Sequence, residues 1–466
     1  MLTIMLFLIP VLQAGMLVAV NFLPNKRLGG TLLGLVLLAM VSNIQLNIGY
    51  ENVRVDITVF VLLIVNLSLS VHLMLKNKLQ TLETDRTSGT RFRLTAGSIA
   101  FMLMMLLFQG YTLEIYEAGL YVYHLNLLLN LLQMALLFYL LGMLQIRAST
   151  LLLCMVCYSV ANSVLGLLQY ATNKSLLLFS AQDSINYYEG VTVAKRVVGF
   201  VGASNGAGNL GAILFPVLLY YFMQRKSLFA FTAMLLNAAF LFLTFTRIGY
   251  LSVCVQFLIF LFLAPLGNRY GLMKKIGMII AAGLAAVIAY QLFFDQLYQI
   301  LFLDRGDTES HRFVQFTSAF SVLREHLWFG LGAGQYIPYM QTHHGIDDIA
   351  LHSQFLNALV EQGIFGFMMF FFAFGALFVW SLKKYKGEGW FPVALFLGYF
   401  IVANFNPNQY YSLCTYTFFA IAFVLVFARK SPDMRQSAKQ NVQMEPSNCP
   451  KPNRQVVNIM QMYKGI

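Results

Sequence analysis

Charged residues are scarce in this sequence of 466 residues: they make up 11%, while hydrophobic residues make up 59%. A typical soluble domain has about 25% charged and roughly 45–50% apolar residues. Apolar runs of about 18–20 residues recur along the chain, and each is long enough to cross ~30 Å of hydrocarbon. Because lipid cannot satisfy unpaired backbone groups, such runs must be helical. The sequence therefore predicts an all-α, polytopic membrane helix bundle and excludes a soluble globular domain.

We expect about twelve to fourteen transmembrane helices, with thirteen favoured. They lie near residues 2–20, 29–49, 57–75, 95–112, 120–143, 150–170, 197–222, 228–246, 248–266, 276–294, 352–382, 390–404 and 411–428. Residues 1–428 then form a transmembrane domain that includes a large extracytoplasmic loop, 295–351. The polar, Pro-containing tail, 429–466, is predicted to be disordered, basic and cytoplasmic.

No Asp, Glu or Lys lies at the middle of any predicted span, and Glu361, in the outer third of a long one, comes nearest. Ion-coupled carriers usually place such residues at the midplane. No internal repeat is visible either. Both absences argue against a proton- or sodium-driven transporter.

The net charge of +12 is divided unevenly between the two sides of the membrane. All but eight of the 31 Lys and Arg residues fall in alternate connections and the tail. By the positive-inside rule that side is cytoplasmic, so the amino terminus faces out and the carboxyl terminus faces in. The excess of Lys and Arg over Asp and Glu thus indicates membrane topology, and it does not imply a nucleic-acid partner. Loop 295–351 lies outside.

Loop 295–351 contains an apolar stripe, in which Phe313, Phe316, Phe320, Leu323 and Leu327 recur at spacings of three and four. This pattern predicts an amphipathic helix on the outer membrane surface or over the bundle. Asp307 or Thr308 can cap its start, and Gly330 ends it. Arg312 lies in its first turn.

Histidine and carboxylate residues cluster at the end of this loop: His343, His344, Asp347, Asp348 and His352. A metal site is disfavoured because Gly345 interrupts the helical spacing and no metalloprotease-type Glu is present. Cys154 and Cys157 lie mid-span, without further Cys or His nearby. We expect neither a metal nor a cofactor. His352, at the mouth of a predicted helix that begins there, suits a general base, with Gly363 and Gly366 admitting a neighbouring helix beside it.

Two arginines lie at the extracytoplasmic ends of other predicted spans. Arg196 precedes a stretch of small residues, Gly199 to Gly211, whose start favours either Gly202–Gly206 helix packing or an anion held by exposed N–H groups. Arg247 lies in a tight reversal between two apolar runs. It either snorkels to the membrane surface or binds a diphosphate through its guanidinium.

Together these motifs resemble the O-antigen ligase / O-antigen polymerase superfamily. The resemblance rests on Arg196-x-x-Gly199…Asn205, Thr246-Arg247, Arg312…Gly330-x-Gly332, and His352-Ser353 followed after nine residues by Gly363-x-x-Gly366. Ile248 departs from the pattern, because a small residue usually follows the second arginine.

The resemblance implies a donor, a chemistry and a set of site residues. The donor is an undecaprenyl-diphosphate-linked oligosaccharide, Arg196 and Arg247 grip its diphosphate, Arg312 assists and His352 is the catalytic base. Asn205, Ser353, Glu361, Gly363 and Gly366 lie in the same stretches and are expected to support the site. The reaction is inverting glycosyl transfer without a metal, on the outer face of the plasma (inner) membrane.

The leading interpretation is a polymerase that joins lipid-linked repeat units into capsular, exo- or cell-wall polysaccharide. The alternative is a ligase that transfers finished glycan to lipid A-core or another acceptor. A flippase or exporter of lipid-linked glycan, or a non-catalytic partner of a synthase, stays open. Besides membrane lipids, a chain-length regulator and a flippase are partners that the resemblance admits.

Overall fold

Long helices joined by short connections make up the part of the chain that the structure describes. This computed structural model describes residues 32, 34–37, 39–40, 45–47, 54–77, 132–137, 139–141, 148–177, 184–189, 192–265, 271–292, 294, 308–332, 334–345, 351–406 and 412–427. The labelled helices are α1 (Ile57–Asn77), α2 (Ala148–Thr172), α3 (Ser204–Arg225), α4 (Leu228–Leu243), α5 (Arg247–Leu263), α6 (Gly271–Leu292), α7 (Thr308–Glu325), α8 (Tyr336–His344), α9 (Gln354–Lys384), α10 (Trp390–Phe405) and α11 (Ser412–Phe427).

Helix length and composition support the membrane assignment for part of the chain. Within the described residues, α2, α3 and α9 are long and apolar enough to cross a membrane, while α4, α5 and α10 are apolar but shorter. The helical class is confirmed, whereas the count of thirteen spans stays a prediction. The predicted spans 2–20 and 95–112 and the tail 429–466 lie outside the described residues, as does most of 120–143.

Two short antiparallel hairpins interrupt the helical pattern, and the sequence analysis did not predict them. Strand β1 (Gln45–Asn47) pairs with β2 (Arg54–Asp56), so the predicted span 29–49 is wrong at its carboxyl end. Strand β3 (Asn186–Glu189) pairs with β4 (Thr192–Lys195), and β4 leads directly to Arg196.

Helix α3 lies in the interior of the bundle, whereas α9 lies at its edge. In the most apolar window of each helix, 83% of α3 is buried but only 17% of α9. Aromatic packing joins α10 to its neighbours. Tyr399 stacks on Phe418 of α11 with ring centroids 3.8 Å apart, and Tyr220 of α3 stacks on Phe391 at 4.2 Å.

Several helix ends meet at one end of the bundle, which we call the site end. Thr246, just before α5, donates to the Ser204 carbonyl at the start of α3 (3.0 Å), and Cys414 of α11 contacts the Gly206 carbonyl (3.3 Å). The Asn406 amide, just past α10, donates to Asn209 of α3 (2.6 Å). Thus α3, α5 and α11 begin at the site end, and α10 ends there.

Candidate active site at the site end of the bundle

Arg196 holds together the turn between α4 and α5. Its side chain is buried, with 1% of its surface exposed. Nε donates to the Thr244 carbonyl (3.0 Å), and Nη2 donates to the Phe245 carbonyl (3.3 Å) and to Asn205 Oδ1 (3.0 Å). A buried guanidinium needs such acceptors to offset its lost hydration. Arg196 and Asn205, which stand in the same sequence motif, are in contact, and the guanidinium binds the protein's own carbonyl groups.

The small-residue stretch after Arg196 does not present an open row of N–H groups. The Gln169 side-chain oxygen accepts from the Val198 and Gly199 N–H groups (3.2 and 2.9 Å), and Asn162 Oδ1 accepts from Phe200 N–H (2.9 Å). The anion-binding interpretation of this start is thus wrong for residues 198–200, because α2 already supplies the acceptors.

The expected helix-packing face formed by Gly202 and Gly206 is also wrong, because Gly202 lies before α3 with φ 81°. Gly208 and Gly249 bring α3 and α5 together instead. A Cβ on Gly249 would lie 3.1 Å from the Gly208 carbonyl oxygen, and a Cβ on Gly208 would overlap the Thr246 side chain.

Arg247 is the first residue of α5 and follows the tight reversal that the sequence predicted. Helix α4 ends at Leu243, α5 begins at Arg247, and Phe245 between them has φ 49°. Arg247 is half-buried, unlike Arg196. Of the two arginines, Arg247 is therefore the one with its side chain partly open to the surface at the site end.

His352 lies beside Gln315 of α7. Its Nδ1 is 3.1 Å from Gln315 Nε2 and 3.3 Å from Oε1. The two side chains, together with Phe316, Ser353, Leu356, Asn404 and Phe405, line a pocket with an empty volume of about 320 Å³ that is partly open to solvent. An amide can accept from Nδ1–H, which leaves Nε2 as the ring nitrogen with the lone pair. The pocket thus presents an imidazole oriented by a neutral partner.

The predicted helix start at His352 is wrong by two residues. Helix α9 begins at Gln354, and buried Ser353 is its N-cap, with Oγ accepting from Leu356 N–H (3.1 Å). Ser is preferred at this position because its oxygen satisfies an N–H that has no helical partner. His352 consequently stands just outside the helix, directly before the N-cap residue Ser353, whose backbone is extended.

Several asparagines lie between the His352 pocket and the arginine turn. Ser353 Oγ contacts Asn404 Oδ1 (3.2 Å), and two residues later Asn406 donates to Asn209 (2.6 Å). Asn209 lies one helical turn from Asn205, the partner of Arg196. The sites around His352 and Arg247 are therefore at the same end of the bundle.

Gly363 and Gly330 lie where the segment Leu327–Gly332 packs against α9. Gly363 has φ 66° and ψ −175°, which interrupts α9, and Gly330 has φ 73°. A Cβ on either glycine would collide with the other segment's backbone. At the interruption Gly332 N–H donates to the Glu361 carbonyl (2.8 Å), and Ile364 N–H donates to the Leu327 carbonyl (2.9 Å). A loop, rather than the expected neighbouring helix, therefore contacts Gly363.

Glu361 fastens the same loop through its side chain. The carboxylate is buried and accepts from the Asn357 amide (3.0 Å) and from the backbone N–H groups of Gly334 and Tyr336. A buried carboxylate is stable only when its oxygens have donors. Gly366 lies one turn further along α9, where a Cβ would overlap the Gln362 side chain.

Helix α8 follows this loop and ends at His344, where Gly345 has φ 59°. Tyr339 of α8 donates to Glu325 (2.5 Å) and stacks on His343 with centroids 4.4 Å apart. Burial and the neighbouring Glu325 raise the pKa of Tyr339 to about 12, so the hydroxyl stays protonated at neutral pH. Among the described side chains, no group of three or more His, Cys, Asp or Glu is placed to hold a metal ion, and Asp347 and Asp348 lie outside them.

Arg312 falls in the first turns of α7, but its side chain lies outside the described residues.

Four side chains in the site were not identified from the sequence: Gln315, Asn209, Asn404 and Asn406. Polar residues of this kind usually join helices in a bundle. Only their common location at the site end distinguishes them.

Residues 232–371 match the family model described as O-Antigen ligase. This range includes Arg247, Arg312 and His352 and extends past Gly366, whereas Arg196 and Asn205 precede it. The resemblance to the O-antigen ligase / O-antigen polymerase superfamily is confirmed over this range. No curated protein sequence matches the chain.

Proposed function

From the O-antigen ligase domain in residues 232–371, we propose that the chain is a membrane glycosyltransferase that polymerises undecaprenyl-diphosphate-linked repeat units into capsular, exo- or cell-wall polysaccharide. The observation that carries this proposal is the location of His352. Its imidazole lies in a pocket at the site end, with Gln315 on Nδ1, and this is the same end of the bundle as the turn that bears Arg247.

His352 is the catalytic base in this proposal. With Gln315 Oε1 accepting from Nδ1–H, Nε2 takes the proton of the acceptor hydroxyl. The acceptor oxygen then forms a bond to the anomeric carbon while the bond from that carbon to the phosphate oxygen breaks. Attack from the face opposite the leaving group inverts the anomeric centre. Undecaprenyl diphosphate leaves with the bonding electron pair.

Arg247 binds the diphosphate in this proposal. A guanidinium matches phosphate oxygens with two parallel hydrogen bonds, and its charge stabilises the leaving group as it forms. Arg312, on α7, is proposed to assist. Arg196 was expected to grip the diphosphate as well, but it is buried against the Thr244 and Phe245 carbonyls. We assign it a positioning role, which is to hold the turn that presents Arg247.

Transfer by purified protein in vesicles tests the proposal. Wild type supplied with a lipid-linked repeat unit is expected to form glycan with or without chelator, and His352→Ala to be slower by about 10²–10⁴-fold, the typical contribution of a general base. His344→Ala is the matched control, because His344 is exposed at the end of α8. Equal rates for the His352→Ala and His344→Ala proteins would exclude His352 as the base.

Ligase activity is the second candidate, because the matched family model is described as O-Antigen ligase. A polymerase uses the lipid-linked repeat unit as both donor and acceptor, so the repeat unit alone yields a ladder of products. A ligase yields product only when a separate acceptor such as lipid A-core is added. The same vesicle assay, resolved by gel electrophoresis with and without that acceptor, separates the two.

The proposed location is the plasma (inner) membrane, with the site end outside the cell. The positive-inside rule predicts most basic residues on the opposite side, and Arg225, Lys226, Lys383, Lys384 and Lys386 lie at or just past the ends of α3 and α9 that are distant from the site end. A flippase that delivers the donor and a chain-length regulator are the proposed partner proteins.

A further inference from the structure

Helix α7 has three faces, and each has a different chemical character. Gln315, Ala319 and Val322 point into the protein, where Ala319 and Val322 are fully buried and Gln315 meets His352. Thr317, Ser321 and Arg324 are exposed and polar. Between these faces lie Phe316, Phe320 and Leu323, at spacings that put them on one side of the helix. We call this third side the apolar flank.

The apolar flank is exposed rather than packed on the bundle. Phe316 is 43% exposed and Phe320 is 52% exposed. The flank is followed by the turn Leu327–Phe329, which is also exposed, and Trp328 alone is 57% exposed. Aromatic side chains at the boundary between a span and water are typical of residues that lie at lipid headgroup level.

The exposed apolar surface continues from this turn onto the membrane-spanning part of α9. Trp328 and Phe329 each contact Phe365 with ring centroids 5.6 Å apart. Phe365 is exposed, and so are Met368 and Phe372 along the same helix. Because α9 is long and apolar enough to span a bilayer, lipid would cover these residues there. One apolar surface therefore runs from the lipid-facing side of α9 to the apolar flank of α7.

The His352 pocket opens at this surface. Phe316 of the apolar flank and Phe405 at the end of α10 both line the pocket, and both are partly exposed to the surroundings. The pocket is thus bordered by two phenylalanines that a bilayer can cover.

We propose that the apolar flank and the turn Leu327–Phe329 are immersed in the outer leaflet, so that the His352 pocket opens sideways at headgroup level. The occupant of this surface is the acyl region of membrane lipid, and the polar face with Thr317, Ser321 and Arg324 stays in water. Building on the proposed function, a donor with a polyprenyl tail reaches the pocket from within the membrane, without leaving the bilayer.

Tryptophan quenching by brominated phosphatidylcholine tests the immersion. The chain has 3 tryptophans, and Trp390 is buried. In a Trp380→Phe protein, Trp328 is therefore the exposed tryptophan. We expect bromines near the headgroup to remove at least half of its emission, and bromines deep in the acyl chains to remove less. The control adds Trp328→Phe to the same protein. Quenching no greater than in this control, or quenching mainly by aqueous iodide, would overturn the proposal.

Activity provides the second readout. Phe320→Asn is expected to slow transfer from a long-chain donor in vesicles several-fold, while Thr317→Asn, on the polar face, leaves it unchanged. With a short-chain donor in detergent the two variants should be equally active, whereas equal rates in vesicles would contradict immersion. If quenching is seen but no variant or wild type transfers glycan, immersion stands and the glycosyltransferase assignment fails.

Discussion

The imidazole of His352 is oriented by Gln315, a residue 37 positions away in the chain and on another helix. A neutral amide holds Nδ1 without placing a charge beside the ring. Substitutions of Gln315 therefore separate the effect of charge at Nδ1 from the effect of orientation.

Gln315→Glu is expected to shift the pH dependence of transfer. A carboxylate at Nδ1 favours the charged imidazole, so the pKa of His352 in this variant rises. The base acts only when neutral, so the acidic limb of kcat/KM moves to higher pH and activity below about pH 7 falls. Gln315→Met is the control, because it lowers the rate without moving the limb. Superimposable limbs in the Glu variant and wild type would rule out the proposed contact.

Arg196 and Arg247 are expected to respond differently to lysine. Lysine cannot reproduce the guanidinium contacts of Arg196 with Thr244, Phe245 and Asn205, so Arg196→Lys lowers stability by about 2–4 kcal/mol. Arg247→Lys leaves unfolding nearly unchanged and reduces transfer by roughly tenfold or more, because a diphosphate contact is lost. Thermal unfolding and initial rates measure the two effects. An Arg196→Lys protein that melts like wild type but is inactive would restore the direct diphosphate role.

Among the elements, the segment Leu327–Gly332 and the interruption of α9 depend on each other. The interruption removes helical hydrogen bonds around Gly363. The backbone groups there form hydrogen bonds with this segment instead. This arrangement holds the amino-terminal part of α9, and with it His352, at a defined place relative to α7.

Gly363→Ala and Gly330→Ala are each expected to destabilise the protein by about 1–3 kcal/mol, because both positions have left-handed backbone and backbone atoms where a Cβ would lie. Gly375→Ala, in the same α9, is the matched control, since nothing lies within 4 Å of its Cβ position. That change should be neutral or stabilise by up to about 1 kcal/mol. Equal melting temperatures for the Gly363→Ala and Gly375→Ala proteins would contradict the close contact between α9 and the segment Leu327–Gly332.

The sequence predicted helices well but not their interruptions. Long apolar runs predicted α2, α4, α9, α10 and α11 to within a few residues, since lipid permits only helical backbone there. From the sequence, Gly363 is expected to contact a neighbouring helix. It contacts the segment Leu327–Gly332 instead, and the sequence around Gly363 does not reveal this tertiary contact or the left-handed backbone that accompanies it. Hairpin β3–β4 was missed because two four-residue strands give little periodic signal.

The candidate site was predictable only where residues carry a recognisable motif. Arg247 and His352 stand in motifs, and both lie at the site end. Asn209, Asn404 and Asn406 could not be chosen from the sequence, since each is one of many polar residues at helix ends. Their importance comes from tertiary contacts between α3 and α10.

At the scale of the whole molecule, the two ends of the bundle are expected to face opposite sides of the membrane. The predicted topology places Ser321, near the site end, outside and Lys386, after α9, inside. In a protein without native cysteines, Ser321→Cys should react with an impermeant maleimide in intact cells, and Lys386→Cys only after permeabilisation. Both positions are exposed, so equal access is expected in detergent. Labelling in the reverse pattern would place the site in the cytoplasm.

Donor binding and donor turnover, measured separately in vesicles, test most directly whether Arg247 and His352 act on one bound diphosphate-linked substrate. We expect His352→Ala to bind the lipid-linked donor like wild type and to transfer its glycan about 10²–10⁴-fold more slowly. We expect Arg247→Ala to bind the donor roughly tenfold or more weakly. Wild-type transfer by His352→Ala, or wild-type donor affinity in Arg247→Ala, would contradict the account.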